Sequence, residues 1–281
     1  MRRTIIANIL AAMTFACSVA CSFAFPSAAA TVVQVPIVAA ASDLQFALQM
    51  IADDFTRQTG NGVKLVFGSS GNFRSQIVQG APFELFMSAD ESFVAALAKE
   101  GRTQDDGVLY AIGRIVLFAP HGSPLKPDPE LRDLAAAIVD GRVRKFAIAN
   151  PEHAPYGRAA QQALTRAGLW DRVRPTLVLG ENVAQAAQFA ASGSVQGGIF
   201  AYSLALSPAV SKLGTFALLP MDSHEPLRQR MVLLKNAGDN AKAFYRFLQA
   251  PRARAVFQQY GFALPGEYQG NGRHHRQLLG N

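Results

Sequence analysis

"VKLVFGSSGNFRSQI", residues 63–77, runs from an apolar stretch through small hydroxyl and glycine residues into a segment of helical composition. A strand that stops at Gly68-Ser69-Ser70-Gly71 and restarts as a helix presents a helix N-terminus at the C-terminal edge of a sheet. Open α/β folds bind ligands at that edge. The unpaired N–H groups and positive dipole end of such a helix favour anions. Ser69 and Ser70 can then attack a substrate, hold an anion, or cap the helix.

The same strand-to-helix design recurs outward along the chain. Ile37–Ala41 reads as a strand, followed through Ser42-Asp43 by Leu44, Ala47, Leu48, Ile51, Ala52 and Phe55 at helical spacing. Residues 150–157, "NPEHAPYG", and Gly180-Glu181-Asn182-Val183 are two more junctions, each after a short apolar run and before a helical segment. Two junctions fall in each half, which points to a shared anion site. Short apolar runs alternating with helix-period segments give an α/β protein with mainly parallel sheets. Further strands are expected at Leu85–Met87, Ile115–Ala119, Phe146–Ala149, Thr176–Leu179, Gly198–Phe200 and Val232–Leu234. Ser88 and Glu91 have capping-box spacing. Asp53 and Asp54 fall on the helix face away from the apolar stripe and are expected in solvent.

The 281-residue chain opens with Arg2-Arg3, an uncharged run from Thr4 to Phe25 and the small residues Ser27–Ala30. This is the pattern of a signal peptide over residues 1–30, cleaved near Ala30, and it places the mature protein outside the cytoplasm. Cys17 and Cys21, the only two cysteines, lie inside it, so no thiol chemistry or disulfide is expected after it. The net charge of +7 suits anions, but the arginines are scattered and no nucleic-acid motif accompanies them. "GSSGN" departs from the nucleophile-elbow pattern because Asn72 replaces the second glycine. Of the histidines, only His153 lies at a junction, and it is expected to be a solvated loop residue. No zinc-protease or phosphate-loop motif is present. Arg74 and Arg158 follow two junctions and are expected to be exposed.

"VAAASDLQFALQMIADDF", "VFGSSGNFRSQIVQGAPFELFMSADE", "NPEHAPYGRAAQQAL", "GENVAQAAQF" and "ARAVFQQYGF" together resemble the periplasmic molybdate-binding proteins of ABC importers, from about Ile37 to Leu264. The resemblance implies a type II periplasmic-binding-protein fold, with two hinge-connected α/β lobes. Lobe 1 would be discontinuous, residues 31–113 and 224–265, with lobe 2 at 114–223 and a loose tail at 266–281. Carried over by motif, the oxyanion would be held by the Ser42 and Ser70 hydroxyls and by backbone N–H groups around Tyr156 and Val183. The binding tyrosine of some members follows a G-I-V run, where "GGIFAYSLA" here has Ala201, with Tyr202 one residue late. One residue along a strand reverses the side-chain face. Tyr202, the fifth candidate, is therefore expected to point away from the site, so that another donor compensates or the pocket is slightly altered.

The implied protein is a monomeric periplasmic receptor, not an enzyme, with no cofactor and no nucleic-acid partner. Its ligand is molybdate or tungstate, with molybdenum reaching it only as the oxyanion and not as a free cation. Its partner is an ABC permease in the inner membrane. A receptor for sulfate or phosphate, or a serine hydrolase using Ser70, are the alternatives.

Overall fold

The computed structural model describes residues 35–266, so the expected leader and nearly all of the expected tail lie outside the described residues. The strands are β1 (Ile37–Ala41), β2 (Lys64–Gly68), β3 (Leu85–Ser88), β4 (Val108–Gly113), β5 (Ile115–Pro120), β6 (Phe146–Ala149), β7 (Leu177–Gly180), β8 (Gly197–Ala201), β9 (Gly214–Leu218) and β10 (Leu227–Leu233). They form two sheets, ordered β2-β1-β3-β10-β4 and β7-β6-β8-β5-β9. In each, three parallel strands stand beside a strand that belongs to a crossover between the sheets.

Those crossovers correct one expectation. The sheets are mixed: β10 runs antiparallel to β3 and β4, and β5 antiparallel to β8 and β9. A chain that leaves one sheet and returns must insert a strand of opposite sense. Only Arg114 separates β4 from β5, and Leu227 pairs with Gly113 on the way back. The two connections therefore run side by side, and the protein is a two-lobed α/β fold.

The helices are α1 (Gln45–Thr59), α2 (Ser70–Val78), α3 (Glu91–Lys99), α4 (Arg132–Val139), α5 (Pro155–Arg166), α6 (Trp170–Val173), α7 (Val183–Ala191), α8 (Tyr202–Ala205), α9 (Asp239–Phe247) and α10 (Pro251–Gln259). The first sheet is covered on both faces. Leu44, Leu48, Ile51 and Phe55 of the α1 segment pack with Phe244 and Phe257 of α9 and α10 on one face. Phe73 and Ile77 of α2 join Val94 and Leu97 of α3 on the other. The second lobe has its own core around Phe118, Phe146, Phe200 and Leu164. Each fully buried side chain of this size contributes about 1.5–3 kcal/mol.

Two local expectations fail for physical reasons. Asp90, not Ser88, caps α3: its carboxylate accepts the Ser92 N–H at 2.8 Å. Ser88 lies two residues too early and closes a tight turn by accepting the Asp90 N–H. Asp54 is buried rather than solvated, because α10 brings Arg252 onto it with bonds of 2.6 and 3.0 Å. The hydrogen bond from Arg252 holds its carboxyl below the usual carboxylate range.

Candidate functional site

The four junctions picked out by sequence meet. Ser42, Ser70, Tyr156 and Val183 line one closed-down cavity of about 10 Å³ between the lobes. That is small beside the roughly 300–1,000 Å³ of pockets that enclose drug-sized ligands. The lobes are closed to about the space of a single water molecule. A wider hollow of about 690 Å³ adjoins it beyond Ser42, along Phe46, Phe67 and Gln188, but it lacks this convergence of helix ends.

Each element contributes its N-terminus, although the Gly71 N–H of α2 is already taken by the His153 carbonyl at 3.0 Å. The first N–H groups of a helix have no intrahelical acceptor. The single 3-10 turn Ser42–Leu44, α2 and α5 have no side-chain cap. Pro155 carries no N–H, so Tyr156 is the first amide of α5 able to donate. Asn182 does cap α7, but it accepts from Ala184 and Gln185 and leaves the Val183 amide.

The serines add hydroxyls whose protons are free. Ser42 and Ser70 are 2% and 1% exposed. Ser42 Oγ accepts the Ala184 N–H at 3.2 Å, and Ser70 Oγ accepts the Ala89 N–H at 3.0 Å. No hydrogen bond among the described residues uses either hydroxyl proton. A buried hydroxyl left with a proton to give is costly unless something accepts it. An oxyanion is such an acceptor, and hydrogen bonds to a charged group are the stronger kind.

Tyr202 is not brought to this cavity. It stands at the first position of α8 rather than on β8, its amide donates to the Arg114 carbonyl, and its ring lies 5.8 Å from that of Phe216. Ala201, the last residue of β8, is fully buried in the core of the second lobe. The tyrosine hydroxyl nearest the site is instead that of Tyr156, which donates to Asp43 Oδ2 at 2.8 Å.

Asp43, Gln229 and Tyr110 were not identified as site residues. Gln229 Nε2 donates to Asp43 Oδ2 at 2.6 Å and to the Tyr156 hydroxyl at 3.0 Å, while its Oε1 accepts from Tyr110 at 2.8 Å. A bulge between Gln229 and Arg230 leaves Tyr110 opposite the break, and both side chains turn inward. Burial pushes the Asp43 carboxyl up to about 6, against the pull of its bonds from Gln229 and Tyr156. The signal was available in "LRQRMVL": Leu227, Gln229 and Met231 alternate inward, so a strand begun at Leu227 implies a buried glutamine.

The cleft rim carries a second set of contacts. Ser69 Oγ donates to the His153 carbonyl at 2.7 Å and lies 2.9 Å from its Nδ1. Asn72 bonds Glu181, and Arg158 pairs with Asp90 across the cleft while lying over the Phe93 ring. His153 is thus engaged rather than solvated, because the facing lobe supplies partners that the sequence places 84 residues away. Arg74 pairs with Glu100. The histidine contact is to Ser69; among the described residues no hydrogen bond joins Ser70 to a histidine, so Ser70 has no adjacent base.

Two α/β lobes, two adjacent crossovers and a small polar cavity between facing helix N-termini define a cleft-closing solute-binding protein. The chain belongs to the family described as bacterial extracellular solute-binding protein, whose sequence pattern matches residues 37–263. It is 36% identical over 242 residues to the molybdate-binding protein ModA of Rhodobacter capsulatus, covering 85% of this chain and 90% of that one. It is 37% identical over 230 residues to ModA of Azotobacter vinelandii, covering 81% and 89%. The solved structure of the Azotobacter vinelandii periplasmic molybdate-binding protein superposes with a TM-score of 0.73 at 31% identity, over 83% of this chain and all of that one. The resemblance and the two-lobed type II fold expected from the motifs are borne out.

Proposed function

We propose that this protein is an exported receptor that captures molybdate, and tungstate equally, and delivers it to an ABC permease of the inner membrane. The observation that carries the reading is the convergence of four helix N-termini and two buried serine hydroxyls with unclaimed protons on one small cavity between the lobes. The relatives named above support the choice of oxyanion and the periplasmic location. They are molybdate-binding proteins, and the lack of a base beside Ser70 among the described residues favours a receptor over a hydrolase. Ser42, Ser70 and the amides of Tyr156 and Val183 would bind the ligand. Neutral donors suffice for a desolvated dianion, and selectivity against sulfate would rest on cavity size.

The test is equilibrium binding of molybdate, tungstate, sulfate and phosphate, each followed by calorimetry and thermal unfolding. Ligand at 100 times its dissociation constant should add about 2.7 kcal/mol of stability. Ser42→Ala and Ser70→Ala should each weaken molybdate binding roughly ten- to hundredfold, the worth of a hydrogen bond to a charged group. Tight sulfate or phosphate binding would reassign the receptor to those anions. Absence of binding by all four, or unchanged affinity in both alanine variants, would overturn the reading.

A further inference from the structure

One group in the cavity wall is at odds with a divalent anion. Asp43 is the only charged side chain among the lining residues, it is 1% exposed, and no lysine, arginine or histidine of the described residues is paired with it. Its surroundings donate in one direction. Tyr110 gives its proton to Gln229, Gln229 gives to Tyr156 and to Asp43 Oδ2, and Tyr156 gives to the same Oδ2. The other oxygen, Oδ1, is buried and receives no bond of full hydrogen-bond geometry, although the backbone N–H groups of Asp43 itself and of Leu44 lie close enough to the carboxylate to pull weakly against its protonation. A proton added here would sit on Oδ1, since Oδ2 already receives two donors.

The cluster also spans the cleft. Asp43, Gln229 and Tyr110 belong to the first sheet and its connections, Tyr156 begins α5 of the second lobe, and Ser203 of α8 donates to the Asp43 carbonyl at 2.8 Å. Gly113, at the crossover, makes room: a Cβ there would lie 2.3 Å from the Tyr156 hydroxyl. The titratable groups facing Asp43 are Tyr110 and Tyr156, both raised well above the usual tyrosine value by burial and by the Asp43 charge. They stay protonated through the neutral range, which leaves Asp43 as the member that changes charge.

We propose that closure on a divalent oxyanion is coupled to uptake of one proton at Asp43, so that the ligand is held as a full dianion beside a neutral carboxyl. This rests on the oxyanion reading above. The proton comes from solvent and goes to Oδ1. Without it, a dianion and a carboxylate would share one desolvated cavity with no cation to offset them. The carboxyl is poised for this, being already pushed up to about 6 by burial. Uptake also turns the one acceptor-only side chain of the wall into a donor.

Calorimetric titration of the protein with molybdate at pH 7.5, in two non-phosphate buffers of different ionisation heat, counts the protons taken up. The expected result is uptake approaching one proton per anion, with affinity rising up to about tenfold per unit of pH lowered between 8 and 7. Asp43→Asn should bind with no uptake and a pH-independent dissociation constant, while His153→Gln should keep the wild-type uptake. A second readout needs no variant: the infrared difference spectrum on adding molybdate should gain a protonated-carboxyl band. Molybdate binding without proton uptake, uptake unchanged in Asp43→Asn, or uptake lost with His153 overturns the proposal. Absence of binding heat and of any melting shift is a different failure, that of the oxyanion reading itself.

Discussion

At Gly71 the absence of a side chain sets how closely the lobes meet. Its N–H donates to the His153 carbonyl at 3.0 Å, and a Cβ built on it would lie only 2.6 Å from that oxygen. The obstacle belongs to the opposite lobe, so an added methyl group opposes closure without disturbing α2, where alanine is the better helix former. Gly71→Ala should weaken molybdate binding about tenfold or more, the usual cost of overpacking, while the ligand-free melting temperature holds or rises slightly. Paired calorimetry and thermal unfolding check this, and an unchanged dissociation constant would refute it. The same residue explains a limit of reading from sequence. Gly71 was legible as a helix start that lets a ligand approach, but its contact is 82 positions away, and nothing local encodes the facing carbonyl.

Elements differ in legibility according to how local their cause is. The α1 stripe and the bounds of α7 follow from apolar periodicity and an asparagine cap, both contained in a few residues. β4 and β9 were not anticipated, since β4 leads into a crossover and β9 is an edge strand, and β10 was begun five residues late because its alternating polar half, Leu227–Arg230, was passed over. The four site junctions were legible because helix N-termini are local features; the Asp43–Tyr156–Gln229 cluster was not, because it is assembled from three separate segments. Packing also separates lobe stability from binding. Phe55 of α1 is 1% exposed, with ring centroids 5.1 and 5.3 Å from Phe244 and Phe247 of α9. Phe55→Ala should cost about 3–5 kcal/mol of stability. Since α9 lies away from the cleft lining, the dissociation constant measured below the melting transition should change less than threefold. A large loss of affinity in the folded variant would contradict that separation.

Across the whole molecule, buried and paired acids pull stability in opposite directions as pH changes. Asp133, held low by the hydrogen bond from Arg142, and Asp54, held low by Arg252, contribute stability above the ordinary carboxylate range and lose it as pH falls through their native values. Asp43 has the reverse sign. Its native value near 6 lies above the ordinary 3.8, so its contribution is complete below about pH 4 and is lost as pH rises through about 6. A gap of this size corresponds to on the order of 3 kcal/mol. His224 opposes it, since burial lowers the imidazole and favours the neutral form as pH rises. The raw pH profile therefore mixes several slopes, and the difference between wild type and Asp43→Asn isolates one. Without ligand, wild type should gain on the variant steadily as pH falls from 7 to 4, followed by melting temperature at half-unit steps. With saturating molybdate that gain should already be present at pH 7, because the bound dianion keeps the Asp43 proton on the protein. If the two curves stay parallel in both conditions, Asp43 does not change its charge on folding or on binding, and the cleft holds its anion against a permanent carboxylate.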